Sequence, residues 1–181
     1  ELKPAFPELE WTKVPENQRI VVKMFIDGNY LQTMEGDIDN SHVGFLHSTF
    51  GSERPAQGVW VKGQSRPYVT REKAPIWTIK DTDGGVMLAA RRNAEEDSYH
   101  WRVGQWLMPS YSLLGAIPGE AMQCNIRVPL DDEHTLYFRL WFCPDRPLSE
   151  AEVAEVKVGG VIFPHLIPGT YLPVENEENN Y

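Results

Sequence analysis

"NYLQTMEGDIDNSHVGFLHS", Asn29 to Ser48, decides how the rest of the chain is read. Leu31, Met34, Ile38, Phe45 and Leu46 approximate helical spacing, while Glu35, Asp37, Asn40 and Ser41 occupy the opposing positions. The stretch is therefore expected to be one helix with a buried face and a polar face. Its second half sets Asp39, His42 and His47 in the pattern D-x-x-H-x-x-x-x-H. Asp39 and His42, three residues apart, share a helix face; His42 and His47, five apart, are separated by roughly 140° on an ideal helix. Both imidazoles aim at one point only if the helix carries a π-type bulge or ends between them, and Gly44 stands in that gap.

Upstream, "RIVVKMF" at 19–25 is rich in branched residues and predicts a strand, with "DGN" at 27–29 as the turn into the helix. Residues 1–18, carrying Pro4, Pro7 and Pro15, read as an extended lead-in or linker. After Gly51 come short mixed runs separated by turn residues, the pattern of successive antiparallel strands: "GVWVKG", "RPYVTRE", "PIWTIKD", "GVMLAARRN", "YHWRVGQWL", "AMQCNIRVPL" and "HTLYFRLWF". "TDGG" at 82–85 predicts a hairpin between the third and fourth of these, and "LDDE" one between the last two. "RPLSEAEVAEVKVGG" reads as a helix capped by Ser149 and stopped by Gly159. The expected fold is α+β, a curved antiparallel sheet gripping helices, with a concave face suited to a ligand.

The formal net charge is −9, and no Lys/Arg cluster extends beyond Arg91 and Arg92, so nothing offers a phosphate-binding stripe and nucleic acid is excluded as a partner. No apolar run approaches the roughly 20 residues of a membrane span. Two cysteines, Cys124 and Cys143, are expected inside strands and point to a reducing, cytoplasmic compartment. The chain opens on Glu1 and closes on "PVENEENNY" without a finishing element, so both ends are expected to be cuts in a longer protein.

Two imidazoles plus a carboxylate, with other positions open, is the facial donor set of non-heme Fe(II) oxygenases, and zinc accepts the same donors. The H-E-x-x-H zinc-protease motif is absent, and a calcium loop beginning at Asp37 would place His42 where glycine is required. Spacing alone leaves a metal site and a structural histidine pair both open. Glu35, one turn before Asp39, is either a supporting carboxylate or part of a solvated face. Asp131 and Asp132 fall in a turn and Asp145 in a helix approach, which disfavours each as a third carboxylate donor; His100, His134 and His165 read as structural. Competing classes are a cup-shaped domain that carries apolar molecules without chemistry, and a zinc hydrolase, for which no glutamate base adjoins either histidine.

The segment from Asn29 to Ser48 resembles the iron-site segment of the Rieske non-heme iron oxygenases, specifically the large (alpha) catalytic subunits of the phthalate dioxygenase and aryl-ether O-demethylase branch. The likeness rests on the N-(aromatic)-L-Q start, the E-G-D-I-D middle and the H-V-G-F-L-H end; "LIPGTYLP" at 166–173 and the terminal "ENNY" also look like that branch. The resemblance implies a Bet v 1-like helix-grip catalytic domain over 19–181. It implies that His42 and His47 ligate a mononuclear Fe(II), with a third ligand, an aspartate, beyond Tyr181. Asp39 would bridge electrons from a [2Fe-2S] Rieske cluster, whose C-x-H and C-x-x-H ligand pairs are absent from this sequence. It further implies a homotrimer, a reductase or ferredoxin as electron donor, and O2-dependent dihydroxylation, monohydroxylation or O-demethylation of an aromatic substrate.

Overall fold

The computed structural model describes the chain except residues 1, 2, 4, 6, 47–65, 116–118, 161 and 176–181, with only the backbone described at Arg66 and Pro67. Seven strands form one sheet: β1 (Arg19–Asp27), β2 (Ile76–Thr82), β3 (Gly85–Asn93), β4 (Tyr99–Leu107), β5 (Tyr111–Leu113), β6 (Met122–Pro129) and β7 (His134–Phe142). Their order is β1-β7-β6-β5-β4-β3-β2, and every neighbouring pair is antiparallel. Strands β2 to β7 are thus a meander, and β1 returns to the edge of β7. The described helices are α1 (Glu10–Lys13), α2 (Tyr30–Ile38), α3 (Val43–Leu46), α4 (Arg66–Arg71) and α5 (Glu150–Val156).

Local chemistry accounts for the turns. The β2–β3 hairpin closes at Gly85, whose φ of 143° lies in glycine territory and whose missing Cβ would strike the carbonyl of Trp106. At the β6–β7 hairpin the Asp131 side chain accepts the amides of Glu133 and His134, each at 2.8 Å. Helix α5 carries a full capping box, Ser149 Oγ accepting from the Glu152 amide and the Glu152 carboxylate accepting from the Ser149 amide.

The two faces of the sheet separate cleanly along β7. Tyr137 and Trp141 face the side covered by α2 and α5, joining Val22, Val156 and Phe163 in one core. Leu140 and Phe142 face the other side, where they pack with Cys124 and Trp11 of α1. This is the helix-grip α+β arrangement expected from the sequence.

Five local features differ from expectation. The helix expected over 29–48 is two helices: α2 stops at Ile38 because Asp39 turns extended, at φ −81° and ψ 114°, and α3 starts at Val43. The break therefore precedes His42, and Gly44 lies within α3, where a Cβ would approach the Val69 carbonyl to 3.0 Å. "RPYVTRE" is helix α4 rather than a strand, because burying Val69 against Val43 of α3 outweighs its β-branched composition. Part of the extended lead-in is helical, and its Trp11 is in the core, 5.7 Å from Phe142 between ring centroids. Cys143 is buried just past the end of β7 rather than inside it, and the short β5 was not among the expected strands. "GVWVKG" lies outside the described residues.

Candidate functional site

The turn between α2 and α3 is built by one side chain. Asp39 Oδ1 accepts the Ser41 amide at 2.7 Å and Oδ2 accepts the His42 amide at 3.0 Å, so the carboxylate satisfies donors that open the α3 turn. Oδ2 also lies 3.4 Å from His42 Nδ1. Burial works to raise the Asp39 pKa, but the amide hydrogen bonds from Ser41 and His42 outweigh it and hold the carboxyl below its ordinary value. Asp39 is ionised at neutral pH and faces the imidazole as an acceptor.

Asp39 and His42 open onto a cavity of about 370 Å³ between α2 and the sheet, floored by Met24 and Ile26 of β1 and walled by arginines 102, 127 and 139. Strand alternation delivers these arginines. Arg127 of β6 stands opposite Tyr137 of β7, and Asn125 opposite Arg139, so all four point to the helix-bearing face. Asp37 closes the network from α2: it accepts from Arg127 Nη1, from Ser112 Oγ and from Asn125 Nδ2 at 2.9 Å. Asn125 in turn accepts the Tyr137 hydroxyl at 2.8 Å, and burial pushes that phenol up to about 12.

The sequence placed Asp37 on a polar face beside Glu35, and the structure separates them. Glu35 is exposed, whereas the Asp37 side chain is 13% exposed and paired with an Arg127 side chain that is 7% exposed. The signal was present in β6 and β7, where Asn125, Arg127, Tyr137 and Arg139 alternate with Cys124, Ile126, Leu136 and Phe138. Polar residues at period two in otherwise apolar central strands mark a polar interior.

Arg102 differs from Arg127. Its Nη1 is buried with no hydrogen-bond partner among the described residues, and burial, helped by Arg92, pushes the guanidinium down to about 10. It stays protonated at neutral pH. Its path into the cavity exists because residue 115 is glycine: a Cβ there would sit 2.5 Å from Arg102 Cγ.

The remaining candidates are dispersed. His47 lies outside the described residues. Among the described residues, no group of three or more His, Cys, Asp or Glu stands close enough together to hold a metal ion. Asp131 is engaged with His134, whose Nδ1 is 2.8 Å away, and the Asp132 carbonyl accepts from Asn29 at the start of α2. That places this hairpin at the opposite end of the nine-residue α2 from Asp39, about 13 Å along the helix axis. Asp145 is exposed on the approach to α5. His100 stacks on Tyr68 of α4 with ring centroids 5.1 Å apart, and His165 lies against Gly159. No helix among the described residues is long and apolar enough to cross a membrane.

The chain is similar to several known proteins. The chain is 36% identical over 142 residues to a 3-chlorobenzoate-3,4-dioxygenase oxygenase subunit of Comamonas testosteroni, covering 75% of this chain and 30% of that protein. It is 28% identical over 184 residues to a phthalate 4,5-dioxygenase oxygenase subunit of Pseudomonas putida, covering 98% of this chain and 41% of that protein. A solved quaternary ammonium Rieske monooxygenase in complex with an inhibitor is similar at a TM-score of 0.44 and 14% identity, over 74% of this chain and 31% of the other. The chain thus spans between 30% and 41% of the length of these two curated relatives. The family model described as LigXa C-terminal domain like matches residues 1–181, and on that match the chain belongs to the LigXa C-terminal domain-like family.

Proposed function

We propose that this chain is the catalytic portion of a Rieske-type oxygenase that hydroxylates an aromatic carboxylate. The observation that carries the reading is the joint occupancy of one cavity by the Asp39–His42 turn and by Arg102, whose buried Nη1 has no hydrogen-bond partner among the described residues. The names of the two curated relatives, a chlorobenzoate and a phthalate dioxygenase subunit, agree with a carboxylate substrate. The reading as a carrier of apolar molecules is disfavoured, since three arginines and two aspartates line the cavity.

The donor chemistry fits a divalent metal, because an ionised carboxylate stands on the Nδ1 side of the His42 imidazole, the arrangement that orients a histidine ligand. His42 and His47 are the residues that would hold a mononuclear Fe(II), with an aspartate beyond Tyr181 as third ligand. When bound, such an iron would supply the dioxygen chemistry, with a [2Fe-2S] cluster on another segment as its electron source. Asp39 keeps the His42 ring oriented, and its remaining lone pairs suit a hydrogen bond to a cluster histidine of a neighbouring subunit in a homotrimer, which is the bridging role we assign to it. Arg102 takes the substrate carboxylate as a charge-assisted pair through the Nη1 donor that has no partner among the described residues. Met24, Ile26, Val43 and Leu114 offer the ring an apolar, water-poor lining. The Asp37–Arg127 pair is internally neutral and fixes α2 to the sheet, so the geometry of the turn does not depend on substrate.

The test uses the full-length protein with a reductase or ferredoxin partner. Oxygen uptake is expected with benzoate-type acids and not with the matching amides, and Arg102→Gln is expected to abolish that preference. Equal uptake with acid and amide by the unaltered protein refutes the carboxylate reading.

A further inference from the structure

Arg92 of β3 is 1% exposed, yet its guanidinium joins two segments distant in sequence. Nε donates to the Glu72 carbonyl at 2.8 Å. Nη1 donates to the Asn40 side-chain oxygen at 2.7 Å, and Nη2 to the Asn40 carbonyl at 2.9 Å. Asn40 directly follows Asp39, and Glu72 directly follows α4. These two residues bracket the stretch that contains His42 and His47, so one planar fork ties its entry and its exit to the sheet. Further bonds tighten the exit: the Glu72 carboxylate accepts from the Asn93 amide, and Arg71 donates to the Asn93 carbonyl at 3.1 Å. Between the two ends, Val43 of α3 packs on Val69 of α4.

Filling the core requires only volume, whereas spanning both oxygens of Asn40 and the Glu72 carbonyl requires a rigid multi-donor fork, which lysine lacks. We propose that Arg92 is a positioning residue for the metal-binding stretch: acting through Asn40, it sets the direction from which Asp39 and His42 face the cavity. The proposal rests on the oxygenase reading above. Supporting residues of this kind commonly change metal affinity by about 10–100-fold when removed.

The experiment measures iron retention against a chelator and the electron paramagnetic resonance spectrum of the ferrous site, with nitric oxide as probe, in the full-length protein. Arg92→Lys is expected to lose mononuclear iron about 10–100-fold more readily, with a changed spectrum. Asn40→Ala, which removes one acceptor and leaves the Glu72 contact intact, is expected to change both readouts in the same direction by less, and it decides the matter if Arg92→Lys does not fold. Asn40→Asp keeps an acceptor for the guanidinium and is expected to restore iron retention and spectrum towards those of the unaltered protein. Wild-type retention and spectrum in Asn40→Ala overturn the proposal, as does an Asn40→Asp variant no better than Asn40→Ala. Absence of mononuclear iron from the unaltered protein overturns the oxygenase reading itself, and this role with it.

Discussion

Asp37→Asn is the substitution whose cost follows most directly from the geometry. The native carboxylate accepts from three donors on β5 and β6: Ser112 Oγ, Asn125 Nδ2 and Arg127 Nη1. An asparagine presents one oxygen, and its NH2 group meets a neighbouring donor without an acceptor between them. The Arg127 side chain is only 7% exposed, so its charge is left buried without its counter-ion. Removing one partner of such a pair costs about 3–5 kcal/mol, which lowers the melting temperature of a domain this size by roughly 6–20 °C. Combining Asp37→Asn with Arg127→Met removes the stranded charge as well, and recovery of about 1–3 kcal/mol relative to the sum of the single changes is expected. Urea denaturation of the four proteins completes the cycle. A loss below about 1 kcal/mol in Asp37→Asn, the scale of an exposed pair, would refute the reasoning that this pair is a buried strut beneath the site.

Three further outcomes are expected. Asp39→Asn in the full-length protein retains fold and iron, since the side-chain amide oxygen still accepts one of the Ser41 and His42 amides, while turnover falls by orders of magnitude with slow oxidation of a normally reduced cluster; iron loss with unimpaired electron delivery would instead make Asp39 a ligand. Gly115→Ala pushes Arg102 aside, because the new Cβ lies 2.5 Å from its Cγ, and KM for the aromatic acid rises about tenfold or more with kcat less affected. Glu152 is held down to about 2 chiefly by its hydrogen bond from Arg146. A depressed carboxyl stabilises the fold above its unfolded pKa, and this contribution fades as pH falls from about 4.5 towards 2. Glu152→Gln should therefore flatten the acid limb of a denaturation profile, and an unchanged limb counts against the ion pair.

What was legible in the sequence was what local chemistry dictates. "TDGG" and "LDDE" turn where expected because glycine conformation and an aspartate cap decide them, and the Ser149 box starts α5 for the same reason. Alternation gave the strands, but it misled at "RPYVTRE", where β-branched and aromatic residues serve a helix because Val69 is wanted by Val43, a contact no local pattern announces. The break at Asp39 was misplaced to Gly44 because an aspartate that turns its carboxylate onto following amides looks, in sequence, like any polar helix residue. The candidate site was half legible. Asp39 and His42 stood out by motif, whereas Asp37, Arg92 and Arg102 acquire meaning only when the sheet folds beneath α2: Asp37 meets Arg127, Arg92 meets Asn40, and Arg102 turns into the cavity with an Nη1 that has no partner among the described residues.

Iron analysis of the full-length protein decides whether His42 and His47 hold a mononuclear iron. About three iron atoms per full-length chain are expected, two in the cluster and one mononuclear, and a His42→Ala, His47→Ala double variant keeps the cluster pair and loses the third. Mononuclear iron retained at the wild-type level in the double variant, or missing from the wild type, would contradict ligation by the two histidines.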